Sequence, residues 1–267
     1  MKFNTKCVHG SGKPDSTGAI SPAIYMSSTF SHPQLGDTTG YQYTRESNPT
    51  RDRLEQLIAG LEEGTDALAF SSGMAAVDAV FHLFSPGDHI ILGDDLYGGS
   101  IRMFTNIYEK NGIEFTYVGT SDLDAVKAAF KPNTKAVYIE TPTNPMMEIT
   151  DIRALCALAH ERNALVIIDN TFLSPYFQKP LTLGADIVVH SGTKFIGGHH
   201  DVISGFTIVK DDELAAKLRL TYKTVGACLS AMDSWLVIRG VKTLALRMEQ
   251  HQKNAIALAE WLKTQPK

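Results

Sequence analysis

The chain has 267 residues, is 43% hydrophobic and contains no apolar run approaching a membrane span, so it can bury one large core plus a partial second unit without a membrane. Its formal net charge of −4 gives no basic footprint for nucleic acid. Cys7, Cys156 and Cys228 are scattered and odd in number, which suggests neither a disulfide framework nor a zinc site. With no signal-like apolar segment at Met1–Thr5, the cytoplasm is the expected compartment.

In chain order, residues 1–60 read as an N-terminal arm, because Pro14, Pro22, Pro33 and Pro49 oppose continuous helix until Thr50–Leu57 begins one. Within it, Gly10–Pro14 resembles part of a phosphate-binding loop. Cys7 stands where the first glycine belongs and Pro14 where Ser or Thr belongs, so the segment is read as arm. Strand-like runs follow at Ala67–Phe70, His89–Leu92, Glu114–Val118, Ala136–Ile139, Leu165–Ile168, Ile187–Val189 and Phe206–Val209. They alternate with helical candidates at Met74–Phe84, Ser100–Asn111, Leu123–Phe130 and Ile152–Asn163. This alternation predicts an α/β unit over residues 61–225, with a mostly parallel sheet wrapped by helices. From Asp211 to Trp261 the pattern is helical. Trp235, Leu236, Ile238, Val241 and Leu244 read as helix core, and residues 226–267 as a connection to a C-terminal domain.

Several segments carry chemistry. Ser191-Gly192-Thr193-Lys194 follows the apolar run Ile187–Val189 and precedes Gly197-Gly198. A lysine there is either an ordinary surface residue or, if desolvated, a nucleophile able to hold a carbonyl cofactor. Leu165–Ile168 runs directly into Asp169, at the strand end where open α/β sheets bind ligands. That carboxylate either caps a turn or faces a pyridinium nitrogen; with a lysine on an aldehyde carbon it forms the pair that pyridoxal phosphate requires. Ser72, Gly73 and Met74 open a helix whose unpaired N–H groups suit a phosphate, although Ser71 or Ser72 serves equally as a plain cap. Tyr97, after Asp94-Asp95, is a turn tyrosine or a flat face for a flat ring. His199-His200 lacks metal-pair spacing and a nearby third ligand.

Ser71–Ala76, Asp95–Gly99, Glu140–Pro145, Asp169–Phe172 and His190–Lys194, preceded by Tyr41–Thr50, occur in the order and spacing of a known family. The chain resembles the Cys/Met-metabolism, or transsulfuration, family of pyridoxal-phosphate enzymes over essentially its whole length. The resemblance implies fold-type I with pyridoxal 5′-phosphate as cofactor. It implies that Lys194 forms the Schiff base and then moves protons, that Asp169 keeps the ring nitrogen protonated, and that Tyr97 stacks on the ring. Gly73 and Met74, through backbone N–H groups, and Ser191 and Thr193, through hydroxyls, would hold the phosphate, with Ser72 beside them. Asn144 would bond near the phenolic oxygen or the substrate carboxylate. Tyr43 and Arg45, in isolation a solvated loop, would reach the neighbouring subunit's site in a homodimer or homotetramer.

The family usually continues for more than a hundred further residues, which carry the arginine for the substrate α-carboxylate; a fragment of a longer enzyme is therefore expected. The implied activity is β- or γ-elimination on a small sulfur-containing amino acid of the cystathionine or cysteine type. γ-Replacement, as in cystathionine γ-synthase or O-acyl-homoserine sulfhydrylase, is the alternative, and a truncated non-catalytic paralogue that keeps the cofactor is another. An aminotransferase on the same fold is disfavoured by Tyr43–Arg45 and Ser71–Met74 together. Gly99 stands where methionine γ-lyases usually carry cysteine.

Overall fold

The computed structural model describes residues 1–10, 12 and 16–266. Ser11, Lys13 and Pro14 of the loop-like segment therefore lie outside the described residues. The first helix, α1 (Phe3–His9), was not expected from the proline-rich arm; it forms ahead of the first proline and buries Cys7. α2 (Pro49–Glu62) starts where expected. Asn48 caps it by accepting from the Thr50 N–H, and proline fills the first position, where its missing N–H costs nothing. Its Leu54, Leu57, Ile58 and Leu61 are buried, so this helix belongs to the core.

Seven strands follow: β1 (Asp66–Phe70), β2 (His89–Gly93), β3 (Glu114–Val118), β4 (Thr134–Glu140), β5 (Leu165–Asp169), β6 (Ile187–Ser191) and β7 (Gly205–Val209). They form one sheet in the order β1-β7-β6-β5-β4-β2-β3, parallel except that β7 runs antiparallel to both neighbours. The intervening helices are α3 (Gly73–Phe81), α4 (Gly98–Met103), α5 (Leu123–Ala129), α6 (Ile152–His160) and α7 (Ser174–Phe177). α8 (Asp212–Val225), α9 (Ala231–Val241) and α10 (Leu244–Lys263) follow the sheet.

The strands read as unbroken apolar runs because both faces are covered. On one face Ile167 and Val189 pack with Phe81, Phe104 and Tyr138 under α3, α4 and α8. On the other, Val188 joins Leu54, Ile58, Val237 and Val241 from α2 and α9, and Ile168 joins Leu155 of α6. Each such fully buried aliphatic side chain contributes about 1.5–3 kcal/mol. The helix expected over Ser100–Asn111 divides. α4 gives way to a π-turn at Phe104–Tyr108, whose wider spacing seats Phe104 on Phe81 at 4.4 Å and brings the Tyr108 hydroxyl to Asp78 at 2.7 Å.

This topology gathers one set of strand ends. β4, β5 and β6 are parallel, so Glu140, Asp169 and Ser191 end at the same sheet edge. β1, antiparallel to the antiparallel strand β7, points the same way. Phe70 and Ser191 share the partner Gly205, so the turn leading from β1 into α3 arrives beside Ser191.

Candidate active site

A cavity of about 1000 Å³ opens at this edge. It brings together nine of the residues singled out in the sequence: Ser72, Gly73 and Met74 from α3, Ser191, Thr193 and Lys194 from the end of β6, and Tyr97, Asn144 and Asp169. Tyr43 and Arg45 do not line it. The Arg45 guanidinium lies over the Tyr43 ring and donates to the carbonyl of Lys223 at the end of α8.

Close approach of α3 to β6 depends on two glycines. A Cβ on Gly73 would stand 2.9 Å from Ser191 Cβ, and one on Gly205 would stand 2.1 Å from the Ser72 carbonyl oxygen. Ser72 is the helix cap, its hydroxyl accepting from the Ala75 N–H at 3.1 Å. The Gly73 and Met74 N–H groups precede the first helical hydrogen bond and face the cavity end, where the helix start favours an anion. Beside them, the Thr193 hydroxyl bonds Ser204, accepting from its N–H at 3.1 Å and lying 3.2 Å from its carbonyl oxygen. That hydroxyl braces the lysine turn, which leaves Ser191 the freer of the two hydroxyls at the cavity.

Lys194 corrects one expectation. The strand-end position suggested a desolvated amine, whereas its side chain is exposed. β6 ends at Ser191, so Lys194 has left the sheet and stands in a turn facing the open cavity. That turn is held by Arg247 of α10, which donates to the Phe195 carbonyl at 2.7 Å and the Gly240 carbonyl at 3.0 Å. Gly198 permits the contact, since a Cβ there would fall 2.1 Å from the guanidinium. The sequence reading missed Arg247; besides the Thr243 hydroxyl one turn back, the partners that tie it to the lysine turn and to α9 are backbone carbonyls 52 and 7 residues away, and no spacing rule registers such bonds.

Asp169 is nearly buried, and its Oδ1 accepts from the Thr171 N–H at 3.0 Å and hydroxyl at 2.6 Å. Burial pushes this carboxyl above its ordinary value, against those bonds. Glu140, its register partner on β4, is pushed up to about 8 by burial and then by the charge of Asp169. On the opposite face, Glu62 at the end of α2 accepts from His190 Nε2 at 2.5 Å and Asn170 Nδ2 at 2.8 Å, all three fully buried. This network fixes the two strand ends from behind.

The donor and acceptor set fits pyridoxal phosphate. An anion-favouring helix start with Ser191 suits the phosphate, a buried carboxylate suits a protonated ring nitrogen, an amine suits the carbonyl carbon, and Tyr97 offers a flat face. A profile of the family described as Cys/Met metabolism PLP-dependent enzyme matches residues 4–267. The chain belongs to this family. It is 49% identical over 267 residues to the cystathionine gamma-lyase of Bacillus subtilis (strain 168), covering all of this chain and 70% of that one. It is 51% identical over 263 residues to the cystathionine beta-lyase of Lactococcus lactis subsp. cremoris (strain MG1363), covering 98% and 69%. The cystathionine gamma-synthase of Haemophilus influenzae is 47% identical over 258 residues, covering 96% and 70%. A crystal structure of cystathionine gamma-lyase from Lactobacillus plantarum, complexed with L-serine, superposes with a TM-score of 0.98 at 50% identity, covering all of this chain and 70% of that one. The fold is thus that of pyridoxal-phosphate enzymes, as the resemblance implies, and its mostly parallel sheet is the one the alternating strands and helices predict. Among the described residues no helix is long and apolar enough to cross a membrane.

Proposed function

We propose that the protein is a carbon–sulfur lyase acting on cystathionine- or cysteine-type amino acids by β- or γ-elimination, releasing a thiol, a 2-oxo acid and ammonia. The observation that carries this is the convergence of Lys194, Asp169 and the start of α3 on one cavity, in a chain about half identical to cystathionine lyases along its whole length. Identity of 47% to a cystathionine gamma-synthase supports γ-replacement as the second reading.

When bound, pyridoxal phosphate supplies an electron sink for the bond broken at the substrate Cα. Gly73 and Met74 N–H groups and Ser191 hold its phosphate, with Ser72 fixing the turn and Thr193 bracing it. Asp169 would keep the ring nitrogen protonated, Tyr97 would offer its flat face to the ring, and Asn144 would bond near the phenolic oxygen or substrate carboxylate. Lys194 would hold the carbonyl carbon, and its Nζ is the group placed to accept the substrate Cα proton and to return a proton on the departing side.

Tyr43 and Arg45, placed off their own chain's cavity, serve the neighbouring site of a homodimer or homotetramer. Residues 1–60, expected as an arm, thus divide: the segment between α1 and α2 is the shared arm while α2 packs into this chain's own core, with 61–225 the cofactor domain and 226–267 the helical connection. Three unpaired thiols, Cys7, Cys156 and Cys228, suit a reducing cytoplasm. The test is borohydride reduction of the pyridoxal-phosphate-loaded protein followed by peptide mass mapping, then assays on cystathionine, cysteine and O-acyl-homoserine. An adduct on a lysine other than Lys194, or none, refutes the assignment, and a 2-oxo acid released with ammonia separates elimination from replacement.

A further inference from the structure

Glu140 occupies a junction that the proposed chemistry does not use. It closes β4, and its side chain shares the cavity face with Asp169, its partner in the parallel register. β2 is the neighbour of β4 on the other side, and Tyr97 stands in the loop after β2, opening α4. Glu140 therefore lies between the ring-nitrogen partner and the flat side chain. Its Oε2 accepts from the backbone N–H of Tyr97 at 3.0 Å, while only 4% of the residue is exposed. Tyr97 itself is 48% exposed, so packing alone does not fix its ring. The ring lies over Gly99, where a Cβ would fall 2.4 Å from Tyr97 Cε1. The ring's height above the cavity floor is thus set by Gly99 beneath it and by the backbone tether to Glu140 behind it.

We propose that Glu140 is a positioning residue for Tyr97: through the Tyr97 N–H it fixes the ring at the level where it clamps a flat aromatic ligand ring. The inference rests on the reading of Tyr97 as the cofactor's stacking partner. In the protein without cofactor, burial and then the neighbouring Asp169 charge push the Glu140 carboxyl up to about 8. A carboxylic acid still accepts through its carbonyl oxygen, and a glutamine amide offers the same atom. Acceptor geometry, and not charge, is then what the site needs.

The test is a double-mutant cycle on the pyridoxal-phosphate-loaded protein, read by cofactor dissociation constant and by the visible circular dichroism of the bound cofactor, which reports ring environment without turnover. Glu140→Ala is expected to weaken cofactor retention about tenfold, the loss of one buried hydrogen bond, and to change the dichroic band. Glu140→Gln should stay within about twofold of wild type. In a Tyr97→Ala background, Glu140→Ala should add no further loss. Should Glu140→Ala not fold, Glu140→Met replaces it, filling the volume without an acceptor. Multiplying effects of the two substitutions, or a Glu140→Gln protein as impaired as Glu140→Ala, overturn the proposal. A Tyr97→Ala protein with unchanged affinity and dichroism overturns the stacking role of Tyr97 itself, a separate result.

Discussion

Replacing Gly205 by alanine drives a methyl group into the start of α3. The new Cβ would stand 2.1 Å from the Ser72 carbonyl oxygen and 2.7 Å from Gly73 Cα, both backbone atoms, against 3.4 Å for ordinary contact. The turn must retreat by more than an ångström, because β7 is pinned between β1 and β6 and cannot move instead. Overpacking of this kind costs about 2 kcal/mol, which for a chain of this size lowers Tm by roughly 4–8 °C. The retreat also withdraws the Gly73 and Met74 N–H groups from the phosphate, and losing one charge-assisted bond weakens cofactor affinity by roughly ten- to a hundredfold. Thermal melts of the apoprotein and fluorescence titration with pyridoxal phosphate measure the two effects separately. Gly60→Ala in α2, where a Cβ meets nothing within 4 Å, is the control and should be neutral or stabilising. A Gly205→Ala protein with wild-type Tm and wild-type cofactor affinity would refute the reasoning.

Asp169→Ala should keep much of the covalent cofactor on Lys194, seen after borohydride reduction, yet abolish turnover, because the carboxylate's role is electronic; retained turnover counts against it. Ser191→Ala should weaken cofactor affinity about tenfold, whereas Thr193→Val should chiefly lower Tm by roughly 2–4 °C through the lost Ser204 bonds, as parallel titrations and melts would show. Glu140 is raised to about 8 and Glu55 to about 7, in both cases first by burial, so the folded apoprotein binds more protons than the unfolded chain from about pH 5 upward. Its stability should therefore fall between pH 5 and 8, and Glu140→Gln should flatten the upper part of that fall in melts against pH. Mixing inactive Arg45→Ala and Lys194→Ala proteins should restore about a quarter of wild-type activity, since about half the dimers are hybrid and each holds one intact site. No recovery after demonstrated subunit exchange would assign Arg45 to its own chain's site or to none.

What the sequence disclosed was whatever short-range pattern encodes. Ile187–Val189 and Leu165–Ile168 announce themselves as strands because both faces are buried. The observed strands run one or two residues further, to Ser191 and Asp169, where polar side chains end the apolar run but not the ladder. Lys194 and Asp169 stand out for the same reason, as residue types at strand ends, and the structure brings both to one cavity. Glu140 stands within a motif yet announces no role of its own, because its partner is a backbone N–H 43 residues away. Gly205 was silent because its meaning lies in the shared pairing of β1 and β6 with β7. The openness of Lys194 is not encoded in its strand-end position, which says nothing of where the following turn points.

α2 joins two places that chemistry otherwise keeps apart. Its first turn follows directly on Tyr43 and Arg45, with Arg51 donating to the Thr44 carbonyl at 2.6 Å, and its last turn carries Glu62 into the buried bonds behind His190 and Asn170. Fourteen helical residues make a rod of about 21 Å, clasped at both ends. That rod runs from behind the β5 and β6 ends to the segment that carries Tyr43 and Arg45. If those residues serve the adjoining subunit, one subunit's binding floor and the doorway of the next rest on the same helix.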